Sequence, residues 1–215
     1  GTTRTVTHIA LTLTINPTTT FNAGTGVFLF AGAVLTNNGT RTHNAAGSRF
    51  ITFNPAPVSY TGTGVVTAPM SSFEAQSGDI TIDPASPNIV VTRVILFVGG
   101  FINANKLTLG TAGATANPVQ IGNTTTPTAA GTFDVPMTFN LGPAGQTMSY
   151  LRTTGPRTTG GEINPARSLA ALTVDDNDPA NTLTIAGGDI TVTGTTLLTN
   201  ARLVTGANNL IVGTV

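Results

Sequence analysis

The chain has 215 residues, 40% of them apolar, enough to bury a sizeable core and too many for a disordered tail. Only 8% are charged, nine basic against nine acidic, so net charge is zero; that argues against nucleic acid as a partner and against a polybasic membrane-surface helix. With no Cys, disulfides and thiolate metal sites are excluded.

Thr makes up a fifth of the chain, with 25 Gly, 13 Pro and a single lysine, Lys106. Thr is β-branched and serves both strand and solvent, while Gly, Asn and Pro suit tight turns. Helices are normally rich in the Glu and Lys of which this chain is short.

In chain order, period-two alternation begins at "RTVTHIALTLTI" (Arg4 to Ile15), which places Ile9, Leu11, Leu13 and Ile15 on one strand face. "SRFITF" from Ser48, "DITI" from Asp79, "NIVVTRVILFV" from Asn88 and "KLTLG" from Lys106 follow. Then come "GTFDVPMTFNL" from Gly131, "SLAALTV" from Ser168, "NTLTI" from Asn181, "DITVTGTTLLT" from Asp189 and "NNLIVGTV" from Asn208. Breakers such as "NNGT", "DPASPN", "DPAN" and "AGGD" separate them, and no apolar run is long enough to span a membrane as a helix.

The chain echoes itself. "ANKLTLGTA" at Ala104 returns as "ANNLIVGTV" at Ala207, 103 positions later, and "ITIDPASPNIVVT" (Ile80 to Thr92) resembles "LTVDDNDPANTLTI" (Leu172 to Ile185). Weaker echoes link "RTVTHIALT" at Arg4 to "RSLAALTV" at Arg167, and "TTFNAG" at Thr19 to "MTFNLG" at Met137. They predict two β repeats of about a hundred residues, spanning 1–112 and 113–215 or running as one continuous domain. The expected fold is all-β, a β-solenoid-like stack of short strands, with tandem β-sandwich modules as the alternative.

The segment from Tyr150, "YLRTTGPRTTGGEINPARSLAALTVDDNDPANTLTIAGGDITVTGTTLLTNARLVTGANNLIVGT", and the earlier "PMSSFEAQSGDITIDPASPNIVVTRVILFVGGFINANKLTLG" resemble the repeats of giant secreted surface proteins of Bacteroidetes, of the type IX secretion kind. The resemblance covers 57–215 well and the first third loosely. It implies a secreted or cell-surface, adhesin- or filament-like module. Such proteins usually end in a sorting domain; none is read here, and no signal peptide opens the chain, so the expectation is an excised or polymerising module. Strand-like first and last segments, Thr5 to Ile15 and Asn209 to Val215, imply joining end to end, with copies of itself or neighbouring modules as partners. Surface glycans are the alternative partner.

Three groups of residues carry candidate chemistry. Asp175, Asp176 and Asp178 in "DDNDPA" could offer oxygen ligands to calcium, although they lack EF-hand spacing; the plainer reading is a polar turn. No other cofactor is implied. Arg152, Arg157, Glu162 and Arg167 concentrate charge in a nearly uncharged chain, as a clamp for a carboxylated ligand or as a structural salt bridge between Glu162 and one Arg. His8 and His43 lack acidic neighbours with ligand spacing and read as packed or surface residues. Glu74, Asp79, Asp83, Asp134 and Asp189 are too scattered to predict glycosidase chemistry, and no nucleophile elbow or phosphate-binding loop occurs, so the chain is not expected to be an enzyme.

Overall fold

The computed structural model describes residues 5–43, 47–176, 178 and 180–213. Arg4, Asn177, Thr214 and Val215, which the expectations above include, lie outside them. The described residues form 25 short strands and one three-residue 3₁₀ turn at Ala104–Lys106, with no α-helix. Every strand pairing is parallel, and the chain winds into a β-solenoid of about nine turns. Paired β-sandwiches, built from antiparallel strands, are therefore not the fold.

One sheet runs the length of the stack. Its path takes Thr5–His8, Val27–Phe30, Arg49–Thr52, Ser72–Ala75, Val94–Leu96, Asn117–Gly122, Gln146–Leu151, Ser168–Asp175, Ile190–Val192 and Leu210–Val212 in chain order, and Thr196–Thr199 also pairs with Ser168–Asp175. The starts at Val27, Arg49, Ser72 and Val94 are 22 or 23 residues apart, which is the length of one coil. Shorter sheets close the other sides, the largest combining Thr12–Ile15, Val34–Asn37, Val58–Thr61, Ile80–Ile82 and Phe101–Ile102.

Because register is kept, equivalent residues stack in rows. Val6, Phe28, Phe50, Phe73, Val94, Val119, Met148 and Leu172 stand on successive rungs of one inward row. All are buried except Val6, which is 54% exposed. Aromatic rings carry the packing from coil to coil: Phe28–Phe50 centroids lie 5.5 Å apart, Phe50–Phe73 5.1 Å, Phe73–Phe101 5.0 Å and Phe101–Phe133 5.9 Å. Offset and edge-on rings at these separations add to the burial of their area. The core is one cluster from Phe28 to Val192, and both it and the long sheet continue across the 112/113 position.

One corner needs glycine. A Cβ on Gly99 would overlap the backbone of Gly78, and one on Gly131 would overlap that of Gly99. The three form a column where successive coils turn at contact distance, and no side chain fits.

The 103-residue echo is not the structural repeat. Leu107–Leu109 belongs to a three-stranded sheet with Ile89–Val91 and Thr138–Phe139, whereas Leu210–Val212 ends the long sheet. Likewise Ile80–Ile82 lies in the five-stranded sheet and its echo, Leu172 to Val174, in the long one. An offset of 103 is not a whole number of 22-residue coils, so the segments of the first echo come round on different sides. The weaker echo between Arg4 and Arg167 does put both segments, Thr5–His8 and Ser168–Asp175, in the long sheet.

Three expected strands are broken, among them Asp189 to Thr199, which divides into Ile190–Val192 and Thr196–Thr199. The first splits into Thr5–His8 and Thr12–Ile15, leaving Ile9 80% and Leu11 76% exposed. Asn88 to Val98 splits into Ile89–Val91 and Val94–Leu96, which join different sheets. At the second bend the inward set changes phase, from Ile89 and Val91 to Val94 and Leu96, and the apolar Val90 and Ile95 between them hide that change from periodicity alone.

Candidate functional site

The arginine-rich segment folds into the joints of the stack. Burial, and next the Glu162 charge, pushes the Tyr150 hydroxyl well above its usual range. That hydroxyl donates to Glu162 Oε1 at 2.5 Å, and Gly160 N donates to the same oxygen at 2.8 Å. The expected salt bridge between Glu162 and an arginine does not form: among the described residues the one ion pair is Arg49–Glu74. Arg157 instead donates from Nη1 to Ala130 O (2.7 Å) and from Nη2 to Gly131 O (2.8 Å). Its pKa is lowered, chiefly by burial, with Glu162 opposing.

Arg167 donates to Ala186 O (2.7 Å), Gly188 O (3.1 Å) and Asp189 O (3.1 Å), and Arg152 to Thr125 O (3.1 Å). These guanidinium groups are spent on carbonyls of other segments of the stack. Arg152 and Arg167 also take positive φ, at 44° and 51°, where the chain turns sharply. Their visible role is to rivet coils together.

Of Asp175, Asp176 and Asp178, the last two accept hydrogen bonds at their own turn. Asp176 accepts from Asn181 Nδ2 (3.1 Å), the Thr153 hydroxyl (3.3 Å) and Asp178 N (3.4 Å). Asp178 Oδ1 accepts from Ala180 N at 2.9 Å, an Asx turn. Among the described residues no three acidic, His or Cys side chains are placed to share a metal.

His8 stacks on Phe30 at 5.5 Å, and His43 is buried. Burial, then the Arg41 charge, lowers the His43 pKa to about 2. Arg41 is itself fully buried, with its guanidinium carbon 4.2 Å from the Phe50 ring centroid, and burial lowers its pKa. An aromatic face partly replaces the water such a cation loses.

Sequence reasoning missed the feature that the structure does assemble. On the outer side of the long sheet, Glu74 is fully buried. Arg49 grips it bidentately, Nε to Oε1 at 2.7 Å and Nη2 to Oε2 at 2.9 Å. Ser72 Oγ (2.8 Å) and Gln76 Nε2 (3.4 Å) complete its donors. The hydrogen bond raises the Arg49 pKa. Asp79, another of the scattered carboxylates named above, accepts instead from Gly100 N. Ile51 and Ile95 flank Glu74 on its own row and are buried too.

Beside this pair lies an open groove of about 570 Å³, lined by Arg49, Ser71, Ser72, Thr92, Arg93 and Asn117 among others. Arg49 and Arg93 stand two coils apart. A 22-residue period would have revealed that spacing, and a 103-residue one could not. Comparison with protein-family models, with curated proteins and with solved structures finds no match to this chain.

Proposed function

We propose that the chain is a structural module of a secreted or cell-surface filament or adhesin stalk, joined end to end to copies of itself or to neighbouring modules, without a catalytic role. One observation carries the reading. Among the described residues the long sheet ends at Thr5–His8 on one side and Leu210–Val212 on the other, each with one unpaired edge. Apolar exposure collects there: Val6, Ile9 and Leu11 at the first end, Leu197, Leu198, Ile211 and Val212 at the last. Elsewhere among the described residues, Val65, Val98, Ile102 and Val135 are the large apolar residues left open.

All pairings are parallel, so a second copy translated along the axis meets this edge in the same sense as an internal coil does. Such a contact is heterologous and does not close, and repetition gives a fibre. The secreted placement follows from the resemblance to Bacteroidetes surface repeats.

Light scattering across a concentration series, with negative-stain micrographs, tests this. The expected outcome is fibres with an axial repeat of about 48 Å, ten rungs of the long sheet at roughly 4.8 Å each, which Val6→Lys or Ile211→Lys abolishes while leaving the fold intact. A chain that stays monomeric at every concentration overturns assembly between separate copies.

A further inference from the structure

Beyond assembly, the geometry points to a binding role for the groove at Arg49 and Arg93: it takes an anionic polysaccharide, with Arg93 meeting a carboxylate or sulfate substituent. Arg49 is in register with Ser72, and Phe73 N donates to Arg93 O, which places Arg93 beside Ser72 on the next rung. Side chains in register on parallel strands point the same way, so Arg49, Ser72 and Arg93 form one outward row. The two cations flank the serine about 10 Å apart along the axis, two rungs of sheet. Arg49 is held rigid by Glu74, and its Nη1 is not used in that grip. Arg93 is exposed, and no carboxylate among the described residues lies within ion-pair distance of it.

The rest of the lining complements sugar hydroxyls. Ser71 donates its hydroxyl to Ser48 O, Ser72 to Glu74, and Thr92 to Ser71 O at 3.2 Å. Their protons turn inward, so oxygen lone pairs face the groove and accept from a ligand rich in O–H donors. The guanidinium groups supply the donors that an acid group needs. The lining spans four successive coils, from Gly47 to Pro118, and is open, so a polymer can continue past either end.

Two other anionic polymers fit less well. A single-stranded nucleic acid is held by aromatic side chains on which its bases stack, and none lines the groove. An acidic peptide would dock by adding a strand, but Arg49–Thr52, Ser72–Ala75 and Val94–Leu96 are each paired on both sides.

The test is fluorescence anisotropy at low and moderate salt on the whole chain, at concentrations where it is monomeric, so that its outcome is independent of assembly. The probes are labelled oligogalacturonate and its methyl ester, dextran sulfate and dextran, polyglutamate, and a single-stranded oligonucleotide. Saturable binding to oligogalacturonate or to dextran sulfate is expected, and which of the two binds separates a uronate from a sulfated ligand. The neutral counterparts should not bind. Arg93→Ala should weaken binding at least about tenfold, the loss of one hydrogen-bonded charge, with an unchanged melting temperature. Arg93→Lys should fall between, and Arg202→Ala, exposed and outside the groove, should bind like the parent. Equal binding of the neutral sugars, an Arg93→Ala variant as tight as the parent, comparable binding of polyglutamate or the oligonucleotide, or no binding of either anionic glycan would each overturn the proposal.

Discussion

Ser72–Ala75 and Thr5–His8 are four-residue strands of one sheet, and they could hardly be more differently housed. Every residue of the first is buried; in the second Thr5, Val6 and Thr7 are exposed and His8 is half-buried. Phe73 and Val6 even occupy the same inward row, yet the phenylalanine is sealed and the valine open. The difference is position in the stack. A middle coil has neighbours on both sides and a terminal coil has one, so burial here belongs to the pile and not to the strand.

The sharpest test of that comparison is truncation on the shared row. Phe73→Ala should cost about 3–5 kcal/mol in chemical denaturation, since neighbouring rings on both sides cannot close the gap. A value near that of a surface site would mean that the interior is loosely packed. Next comes the outer row. Arg49→Ala leaves the Glu74 carboxylate buried without its partner and should cost roughly 2–3 kcal/mol, below the figure for a fully buried pair because the Arg49 side chain is 42% exposed. The double change Arg49→Met with Glu74→Leu should recover most of that loss, because Ile51 and Ile95 offer apolar neighbours.

At the corner, Gly99→Ala should destabilise by about 1–3 kcal/mol, since backbone atoms on the adjacent coil must move. His43 gives a pH signature. Its folded pKa lies near 2 and its unfolded value near 6.5, so between them only the unfolded chain holds the proton. Stability therefore rises with pH through that window, with a slope of up to about 1.4 kcal/mol per unit from this group, and is flat with respect to it above pH 7. His43→Phe should remove that slope in acid denaturation profiles. Smallest of all, Val6→Ala should change the stability of the monomer by less than about 0.5 kcal/mol, as an exposed site does. In fibres the same change should cost more, because the next copy would bury it.

Much of the local structure was legible. Strands at Arg49–Thr52, Ile80–Ile82, Leu107–Leu109 and Ser168–Asp175 follow from β-branched alternation between Gly, Asn and Pro turns. The coil length was not, because residues that stack match in size and polarity rather than identity. Phe28, Phe50, Phe73, Val94 and Val119 share one row without sharing a motif. The longer echo was easier to see and misleading, since it relates segments on different sides of the solenoid. The charged residues show the same limit. The run from Arg152 to Arg167 stood out by local density, yet its guanidinium groups went to backbone carbonyls. Arg49, Glu74 and Arg93 are far apart in the chain, and only the winding makes them neighbours.

The amino-acid sequence by itself determined that this chain makes short strands, tight turns and a nearly uncharged Thr-rich surface, because backbone propensity and side-chain polarity act over a few residues. Tertiary structure alone decided which strands sit on which side, which apolar residues are sealed, and which arginines remain free for solvent. Those outcomes depend on the chain returning to the same place once per coil, and parallel hydrogen bonding enforces that return without asking the residues to repeat.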